Sequence, residues 1–212
     1  IRTPPLAFVL TASLVCLPAC VRGEFNLATR RQEHTLTSTA REVEIGRKTA
    51  RRVEEELPLT PDEAMQARVR TIGERLVAVC DRQEFPYHFA VVEDEEVNAF
   101  SLPGGYVFLH HGLMKKTASD DELAGVIAHE IAHITARHAI TRYELSIWLA
   151  VLQLATLATQ EGAAIEGVGL AGAATHLANA RQDELEADML AVQYMKAAGF
   201  DPTGMLTFLE TL

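Results

Sequence analysis

Two histidines and one glutamate lie close together in a segment that is otherwise apolar. The sequence His129-Glu130-Ile131-Ala132-His133 places the two imidazoles one helical turn apart, so that both face the same side of a helix. Imidazoles in this arrangement can bind one tetrahedral zinc ion, and the glutamate between them can reach a water molecule on the metal. The pattern therefore predicts a catalytic zinc site. The alternative interpretation is a pair of core histidines with local hydrogen bonds.

A second predicted helix carries two carboxylates at the same spacing. Glu184 and Asp188 share one otherwise apolar face of a helix that ends at Gly199. A histidine that binds a metal usually donates its second ring N–H to a carboxylate. This helix can therefore supply Glu184 to the metal and Asp188 to the back of His129 or His133. The alternative is that the two carboxylates form an ordinary solvated helix face.

Three further charged residues flank these carboxylates. Arg181 lies one turn before Glu184, so we expect it to orient that glutamate or to pair with the neighbours of Asp188. Asp183 and Glu186 turn away from the apolar face, and we expect both to face solvent.

Together, the motifs resemble those of a known peptidase family. They are His129-Glu-x-x-His133, Glu184-x-x-x-Asp188 and the upstream segment 98–109, Asn-Ala-Phe-Ser-Leu-Pro-Gly-Gly-Tyr-Val-Phe-Leu. In this order they are similar to the gluzincin metallopeptidases of the CAAX-prenyl-protease and HtpX-like family, and closest to its soluble periplasmic branch.

This resemblance extends from about Arg41 to the end of the sequence. It implies one zinc ion per chain, bound by the two histidines and Glu184, with Glu130 as the general base and Asp188 supporting a ligand. Family members usually continue further, so the resemblance also implies that residues 40–212 are a metallopeptidase domain with more sequence after it.

Three short strands are predicted before the metal helix, because the period of the apolar residues changes there. They span 85–92, 97–101 and 106–110 and are separated by the acidic turn Glu93–Glu96 and by Pro103-Gly104-Gly105. We interpret the acidic turn as a solvated loop.

The edge of such a sheet can bind a peptide as an added strand. Asn98, Ala99 and Phe100 are similar to the edge strand that binds substrate in thermolysin-like gluzincins, so we predict that they bind substrate. The alternative is a packed hairpin without a binding role. His110 and His138 have no ligand spacing, and we expect them to be surface or hydrogen-bonded core residues.

The remaining predicted elements are helices. A charged helix spans about 40–56, and Thr60-Pro-Asp-Glu63 is predicted to cap the next one. The apolar segments 144–158 and 162–174 predict a helical hairpin that covers the active site or rests on a membrane surface, since the first is short for a bilayer span. Asp201-Pro202 is predicted to begin the last helix.

At the N-terminus, residues 1–20 predict an export signal that ends in Leu17-Pro-Ala-Cys20. These last four residues resemble a bacterial lipobox, so we expect Cys20 to be acylated and to anchor the protein to a membrane. Val21 after the cysteine is similar to lipoproteins that are sorted to the outer membrane of Gram-negative cells. The alternative is ordinary signal-peptidase cleavage near Ala19. Residues 21–39 are polar and are predicted to form a tether.

Composition places the chain among ordinary globular proteins. With 48% apolar and 23% charged residues, its 212 residues suffice for one well-packed domain. The net charge of -10 and the lack of basic runs argue against a nucleic-acid partner. The predicted fold is α+β and mainly helical, a zincin-like domain with a small β-sheet beside the metal-binding helix.

These observations predict an exported zinc metalloendopeptidase that acts on polypeptides, among them misfolded proteins of the cell envelope. The expected location is the periplasm, at the outer membrane of a Gram-negative bacterium. The alternative is a zinc-bound chaperone or binding module whose proteolysis is weak or suppressed. Glu130 favours the enzyme, since a structural zinc site has four protein ligands and needs no base.

Overall fold

A computed structural model describes residues 22–159 and 162–211, and the side chains of Arg22, His34 and residues 151–179 lie outside that description. The predicted export signal and the lipidation site Cys20 also lie outside the described residues.

Within these bounds the chain forms two small sheets and a set of helices. The strands are β1 (Arg22–Asn26), β2 (Arg31–Thr35), β3 (His88–Val92), β4 (Ala99–Leu102) and β5 (Tyr106–His110). The helices are α1 (Thr39–Glu56), α2 (Glu63–Val77), α3 (His111–Lys116), α4 (Asp120–Thr135), α5 (His138–Thr159), α6 (Gly162–Ala198) and α7 (Thr203–Leu209). The predicted α+β, mainly helical class agrees with this architecture.

Helix α4 is the centre of the fold and packs against α2, α5, α6, α7, β4 and β5. It begins where the sequence predicts, since the Ser119 hydroxyl accepts a hydrogen bond from the Glu122 amide at 3.1 Å. Leu123, Ile127 and Ile131 are fully buried along the helix. Burying each of these side chains contributes about 1.5–3 kcal/mol, which holds the helix firmly in one orientation.

The three predicted strands form one sheet in the order β3-β5-β4. Strand β5 pairs with β3 in parallel and with β4 antiparallel, so β4 lies at an edge. Gly104 and Gly105 form the turn before β5 with φ angles of 74° and 95°, a backbone conformation that favours glycine. The sheet therefore presents β4 next to the central helix, where the sequence predicted a substrate edge.

The second helix begins later than the predicted capping box. Asp62 is the N-cap, and its carboxylate accepts hydrogen bonds from the amides of Ala64 and Met65 at 3.0 Å each. The prediction of a box between Thr60 and Glu63 was therefore wrong. An aspartate directly before the first turn satisfies the free amides itself.

The segment that we predicted to be a tether is folded from residue 22 onward. Strands β1 and β2 form an antiparallel hairpin, and the Asn26 side chain donates to the Thr135 carbonyl at 2.9 Å. The Glu144 carboxylate of α5 accepts from the Thr35 hydroxyl at 2.7 Å and from the Thr37 amide at 2.8 Å. The tether prediction was wrong because polar residues that could be solvated instead bind specific partners on the domain.

A buried ion network joins this N-terminal region to the end of α4. Glu42 is 1% exposed and binds Arg82 through both carboxylate oxygens, at 3.0 and 3.2 Å. Its second oxygen also lies 3.1 Å from Nε of Arg137. Burial lowers the pKa of Arg82, but the attractions and hydrogen bonds of Glu42 and Glu84 together outweigh it and raise the pKa, so the guanidinium stays charged.

The first of the two helices predicted between the His129 and Glu184 segments is present as α5, whereas the second continues into the Glu184 helix as α6. Helices α5 and α6 pack against each other. Helix α6 continues without a break from Gly162 to Ala198, and Gly199 ends it with a φ of 78°. The side chains through which this hairpin could cover the active site lie mostly outside the description. Across the described helices, none has a stretch that is both long enough and apolar enough to span a bilayer.

Candidate active site

Three side-chain atoms converge between α4 and α6. Nε2 of His129 and Nε2 of His133 are 3.0 Å apart, and Oε2 of Glu184 lies 3.3 and 3.5 Å from them. Ligand atoms at zinc bond lengths in a tetrahedral arrangement are separated by about 3.4 Å. The three atoms therefore have the spacing that one zinc ion requires.

The tautomer of His129 follows from its partner on α6. Nδ1 of His129 lies 2.9 Å from Oδ1 of Asp188. Because a carboxylate can only accept, Nδ1 carries the proton and Nε2 keeps its lone pair. The sequence predicted that Asp188 supports either His129 or His133, and in the structure it contacts His129.

His133 is held by a second chain of contacts that runs through His138. Nδ1 of His133 lies 2.8 Å from Nδ1 of His138, whose Nε2 lies 3.4 Å from the Glu186 carboxylate. If Glu186 accepts from His138, then Nδ1 of His138 accepts from His133. This arrangement leaves Nε2 of His133 unprotonated as well.

The pKa shifts support neutral imidazoles at His133 and His138. Burial, together with the neighbouring imidazoles, lowers the pKa of His133 to about 4. Burial also lowers the pKa of His138, although Asp183 and Glu186 oppose the shift. Burial raises the pKa of Glu184, but the two histidines and a nearby arginine outweigh it and the pKa is lowered. Two imidazole lone pairs and one carboxylate oxygen thus meet without a donor, which is a donor set that suits a divalent cation.

Glu130 lies beside this group without belonging to it. It lines the cleft together with Ser101 of strand β4. Burial raises the pKa of Glu130 above its ordinary value, while hydrogen bonds from Ser101 oppose the shift. A carboxylate whose pKa is moved toward neutrality is better suited to accept a proton and then release it.

The cleft above these residues has a volume of about 300 Å³ and lies between β4, α4, α5 and α6. Ala99 and Phe100 line it, as predicted for a substrate edge. Asn98 precedes the strand and is exposed, and its carbonyl accepts a hydrogen bond from the His110 amide at 3.0 Å. The two strand residues face the candidate metal site, whereas Asn98 is not among the residues that line the cleft.

The predicted role of Arg181 does not agree with the structure. Arg181 is exposed, and among the described ion pairs it has no contact with Glu184. Arg142 of α5 takes that position, with Nη2 at 3.5 Å from Glu184 and Nε at 2.9 Å from Asp183. A residue from another helix thus provides the positive charge, because α5 packs along this face of α6.

The expectation that Asp183 and Glu186 face solvent was also wrong. Glu186 is 8% exposed and contacts His138, and its other oxygen lies 3.3 Å from Arg31 of the hairpin. Both carboxylates face the turn between α4 and α5. His138 and Arg142 are therefore polar partners on the side of α6 that the helical pattern predicted to face solvent.

Sequence reasoning missed three residues at this site: His138, Ser101 and Arg142. His138 is a buried, hydrogen-bonded histidine, as expected, but its partner His133 was not predicted. Arg137, immediately before it, has a φ of 59°, and this left-handed residue turns the chain back below α4. The signal in the sequence was weak, since it consisted of one arginine and one histidine directly after a helix that ends near Thr135.

Comparison with known proteins finds one matching family and several relatives. Residues 63–212 match the model of peptidase family M48. The chain is 35% identical over 191 residues to the β-barrel assembly-enhancing protease of Yersinia pestis, covering 82% of this chain and 38% of that protein. It is 34% identical over 185 residues to the protein of the same name in Escherichia coli K12, with the same two shares covered.

A more distant relative is the mitochondrial metalloendopeptidase OMA1 of Schizosaccharomyces pombe, which is 32% identical over 152 residues. That match covers 68% of this chain and 43% of the relative. The chain thus spans well under half the length of the curated relatives that it matches. The family match and these identities agree with the predicted gluzincin resemblance, and the chain belongs to peptidase family M48.

Proposed function

We propose that this chain is the metallopeptidase part of a zinc-dependent endopeptidase that hydrolyses peptide bonds of polypeptides in the bacterial cell envelope. The observation that carries the proposal is the convergence of two imidazole nitrogens and one carboxylate oxygen beside Glu130, under a free sheet edge. A structural zinc site needs four protein ligands and no adjacent base. Three ligands with a glutamate next to them correspond to the catalytic type.

His129, His133 and Glu184 would hold one zinc ion. Bound zinc supplies a Lewis acid that polarises the scissile carbonyl and makes water a stronger acid. Asp188 and His138 orient the two imidazoles and keep their Nε2 atoms free to bind metal.

Glu130 moves the proton in this mechanism. It accepts a proton from the attacking water and passes it to the scissile nitrogen. The leaving group is then a neutral amine and not an unstable amide anion. Its raised pKa suits both steps, since a carboxylate with an ordinary pKa holds a proton too weakly to deliver it near neutral pH.

Strand β4 would hold the substrate. Because β4 pairs only with β5 in the described sheet, its other side can bind an extended peptide through main-chain hydrogen bonds. Ala99 and Phe100 lie along this side of the cleft with Glu130. An added strand there would run across the metal site, with Asn98 just before its start.

The cellular role is proposed from the relatives and from the N-terminus. Two relatives are named for enhancing the assembly of β-barrels, which suggests envelope proteins as substrates. Acylation of Cys20 would anchor the chain to the outer membrane on the periplasmic side. Intact mass of the protein made from its full precursor tests this, because Cys20→Ser should remove the acyl chains, and an unmodified wild-type N-terminus would contradict the anchor.

Exchange of the proposed base tests the catalytic assignment. Glu130→Gln keeps the size of the side chain and its hydrogen bonding to water, but an amide cannot accept the proton. We expect zinc content and folding close to wild type, and peptide hydrolysis lower by roughly 10²- to 10⁴-fold. Glu74→Gln on the exposed face of α2 is the matched control and should have wild-type activity.

The measurement compares hydrolysis of one unfolded protein substrate near neutral pH at matched zinc occupancy. If Glu130→Gln hydrolyses it as fast as wild type, the assigned mechanism is wrong. If neither protein hydrolyses it and both bind it equally, the chain is a binding module instead.

A further inference from the structure

A second group of side chains of the types that bind metal ions lies at the opposite end of β5 from its glycine turn. His110 is the last residue of β5, and Asp94 and Glu96 belong to the acidic turn after β3. One imidazole nitrogen and one oxygen from each carboxylate lie within 4.8 Å of one another. None of these residues belongs to the His129, His133 and Glu184 site.

The imidazole of His110 is the main anomaly in this group. It is 4% exposed, and among the described residues neither of its ring nitrogens has a hydrogen-bond partner. Its Nδ1 lies 3.5 Å from Oδ1 of Asp94. A buried polar group without a partner is rare in folded proteins, because burial removes its hydrogen bonds to water. We expected His110 to be solvated or hydrogen-bonded, and within the described residues it is neither.

The charge around His110 points to a cation. The turn contains four successive carboxylates, Glu93 to Glu96. Lys115 binds Glu95 at 2.7 Å, and the second histidine, His111, lies 3.2 Å from Glu93. Within the described part of the chain, no lysine or arginine pairs with Asp94 or Glu96. The two uncompensated carboxylates are therefore the ones that face the unpartnered imidazole.

We propose that Asp94, Glu96 and His110 form a second divalent-cation site. Two carboxylates and one imidazole are a mixed oxygen and nitrogen donor set, which suits first-row cations such as Mn²⁺ and Zn²⁺ better than Mg²⁺ or Ca²⁺. The separation of 3.5 Å between Nδ1 of His110 and Oδ1 of Asp94 matches two ligands on one such ion. Both carboxylates are accessible from solvent, so an ion can enter without opening the fold.

A cation at this position would tie the acidic turn to the end of β5. The backbone supports this link, since the Gly112 amide donates to the Asp94 carbonyl at 2.9 Å. The His110 amide also donates to the Asn98 carbonyl, immediately before the edge strand β4. The cation would therefore fix the segment from which β4 starts. An effect on substrate binding through this strand rests on the proposed function, whereas the cation site itself does not.

Manganese binding tests the proposal directly. The full chain is first loaded with one equivalent of zinc, which Mn²⁺ does not displace because it binds nitrogen and oxygen sites more weakly. Free Mn²⁺ is then followed by electron paramagnetic resonance during a titration. We expect one Mn²⁺ per wild-type chain. Residues that support a ligand without binding the metal typically change affinity by roughly 10- to 100-fold. Because His110→Phe and Asp94→Asn each remove a ligand itself, each should weaken Mn²⁺ binding by more than this.

Glu95→Gln is the matched control, since it removes the same charge from the neighbouring residue, whose partner is Lys115. It should bind Mn²⁺ nearly as wild type does. Retained binding in His110→Phe would show that the acidic turn alone attracts the ion and would overturn the proposal. Absence of binding in wild type, both with and without the equivalent of zinc, would overturn it too. If His110→Phe does not fold, Asp94→Asn against Glu95→Gln decides, and equal affinities reject the site.

This outcome can be separated from a failure of the proposed function. Mn²⁺ binding is measured without any peptide, and its variants lie outside the zinc group. A wrong assignment of Glu130 would change the hydrolysis result and leave the manganese result as it is.

Discussion

Two clusters of charged and polar side chains lie against helix α4, and they differ in how their donors and acceptors match. In the first, the negative carboxylate of Glu42 meets the positive guanidinium groups of Arg82 and Arg137, so opposite charges are paired. In the second, His129, His133 and Glu184 bring together acceptor atoms alone. A matched group is complete as it folds, whereas unmatched acceptors need a cation. The pairing of opposite charges, present in the first cluster and lacking among the three acceptor atoms of the second, separates the two cases.

The two clusters are also joined through the backbone. Arg137 belongs to the ion network, and the next residue, His138, contacts His133 of the proposed zinc site. Nη2 of Arg137 also donates to the Thr37 carbonyl at 2.6 Å, which holds the turn in place. The matched cluster thus positions a residue that orients the unmatched one.

The largest effect is expected when a ligand is removed from the unmatched cluster. Glu184→Ala leaves two imidazoles for the metal, so the chain should lose most of its zinc. Metal analysis after dialysis measures zinc per chain. Arg181→Ala changes an exposed neighbour on the same helix and should keep its zinc. Equal zinc in Glu184→Ala and wild type would place the third ligand elsewhere.

Breaking the matched cluster should instead reduce stability. Glu42→Ala leaves two buried guanidinium groups without their carboxylate, which is expected to lower the free energy of unfolding by about 3–5 kcal/mol. Urea unfolding of the metal-free protein measures it. The control is Glu44→Ala on the same helix, whose ion pairs with Arg41 and Lys48 are exposed, and it should change stability little. Equal losses in the two variants would show that the buried network is not the stabilising element.

A smaller effect is expected from the residues that orient the ligands. Asp188→Asn and His138→Asn each change the partner of one imidazole of the proposed zinc site, so each should weaken zinc binding by roughly 10- to 100-fold. Competition with a chelator measures the affinity. His88→Asn, at an exposed position, is the control. If only Asp188→Asn weakens binding, the contact between His138 and His133 has no part in holding the metal.

The smallest effect is expected at the contact between the β1-β2 hairpin and α5, and it depends on pH. Burial raises the pKa of Glu144, but hydrogen bonds from Thr37, Thr35 and the Leu36 amide outweigh it and lower the pKa below its ordinary 4.5. The carboxylate therefore stabilises the fold above pH 4.5, and this contribution is lost as the pH falls through the lowered pKa.

Glu144→Gln should consequently be less stable than wild type at neutral pH, and the difference should shrink in acid. Urea unfolding of wild type and Glu144→Gln, at neutral pH and in acid, measures this difference in stability. A difference that stays constant over this range would mean that ionisation of Glu144 does not stabilise the hairpin contact.

The sequence by itself determined the features that depend on helical or strand spacing. His129 and His133 share a face because residues four apart in a helix always do, and the same holds for Glu184 and Asp188. The cap at Ser119 was equally local, since its hydroxyl binds an amide three residues away.

Only the tertiary structure decided which of these faces meet and what the remaining polar residues bind. The helical pattern predicts that Glu186 faces solvent, but the turn at Arg137 places His138 against it. Arg142, from another helix, occupies the position beside Glu184 that was predicted for Arg181. His110 and Asp94 likewise become neighbours only when β3 and β5 pair. Interactions within one element repeat at a known residue spacing, whereas contacts between elements depend on the path of the whole backbone, which no local pattern records.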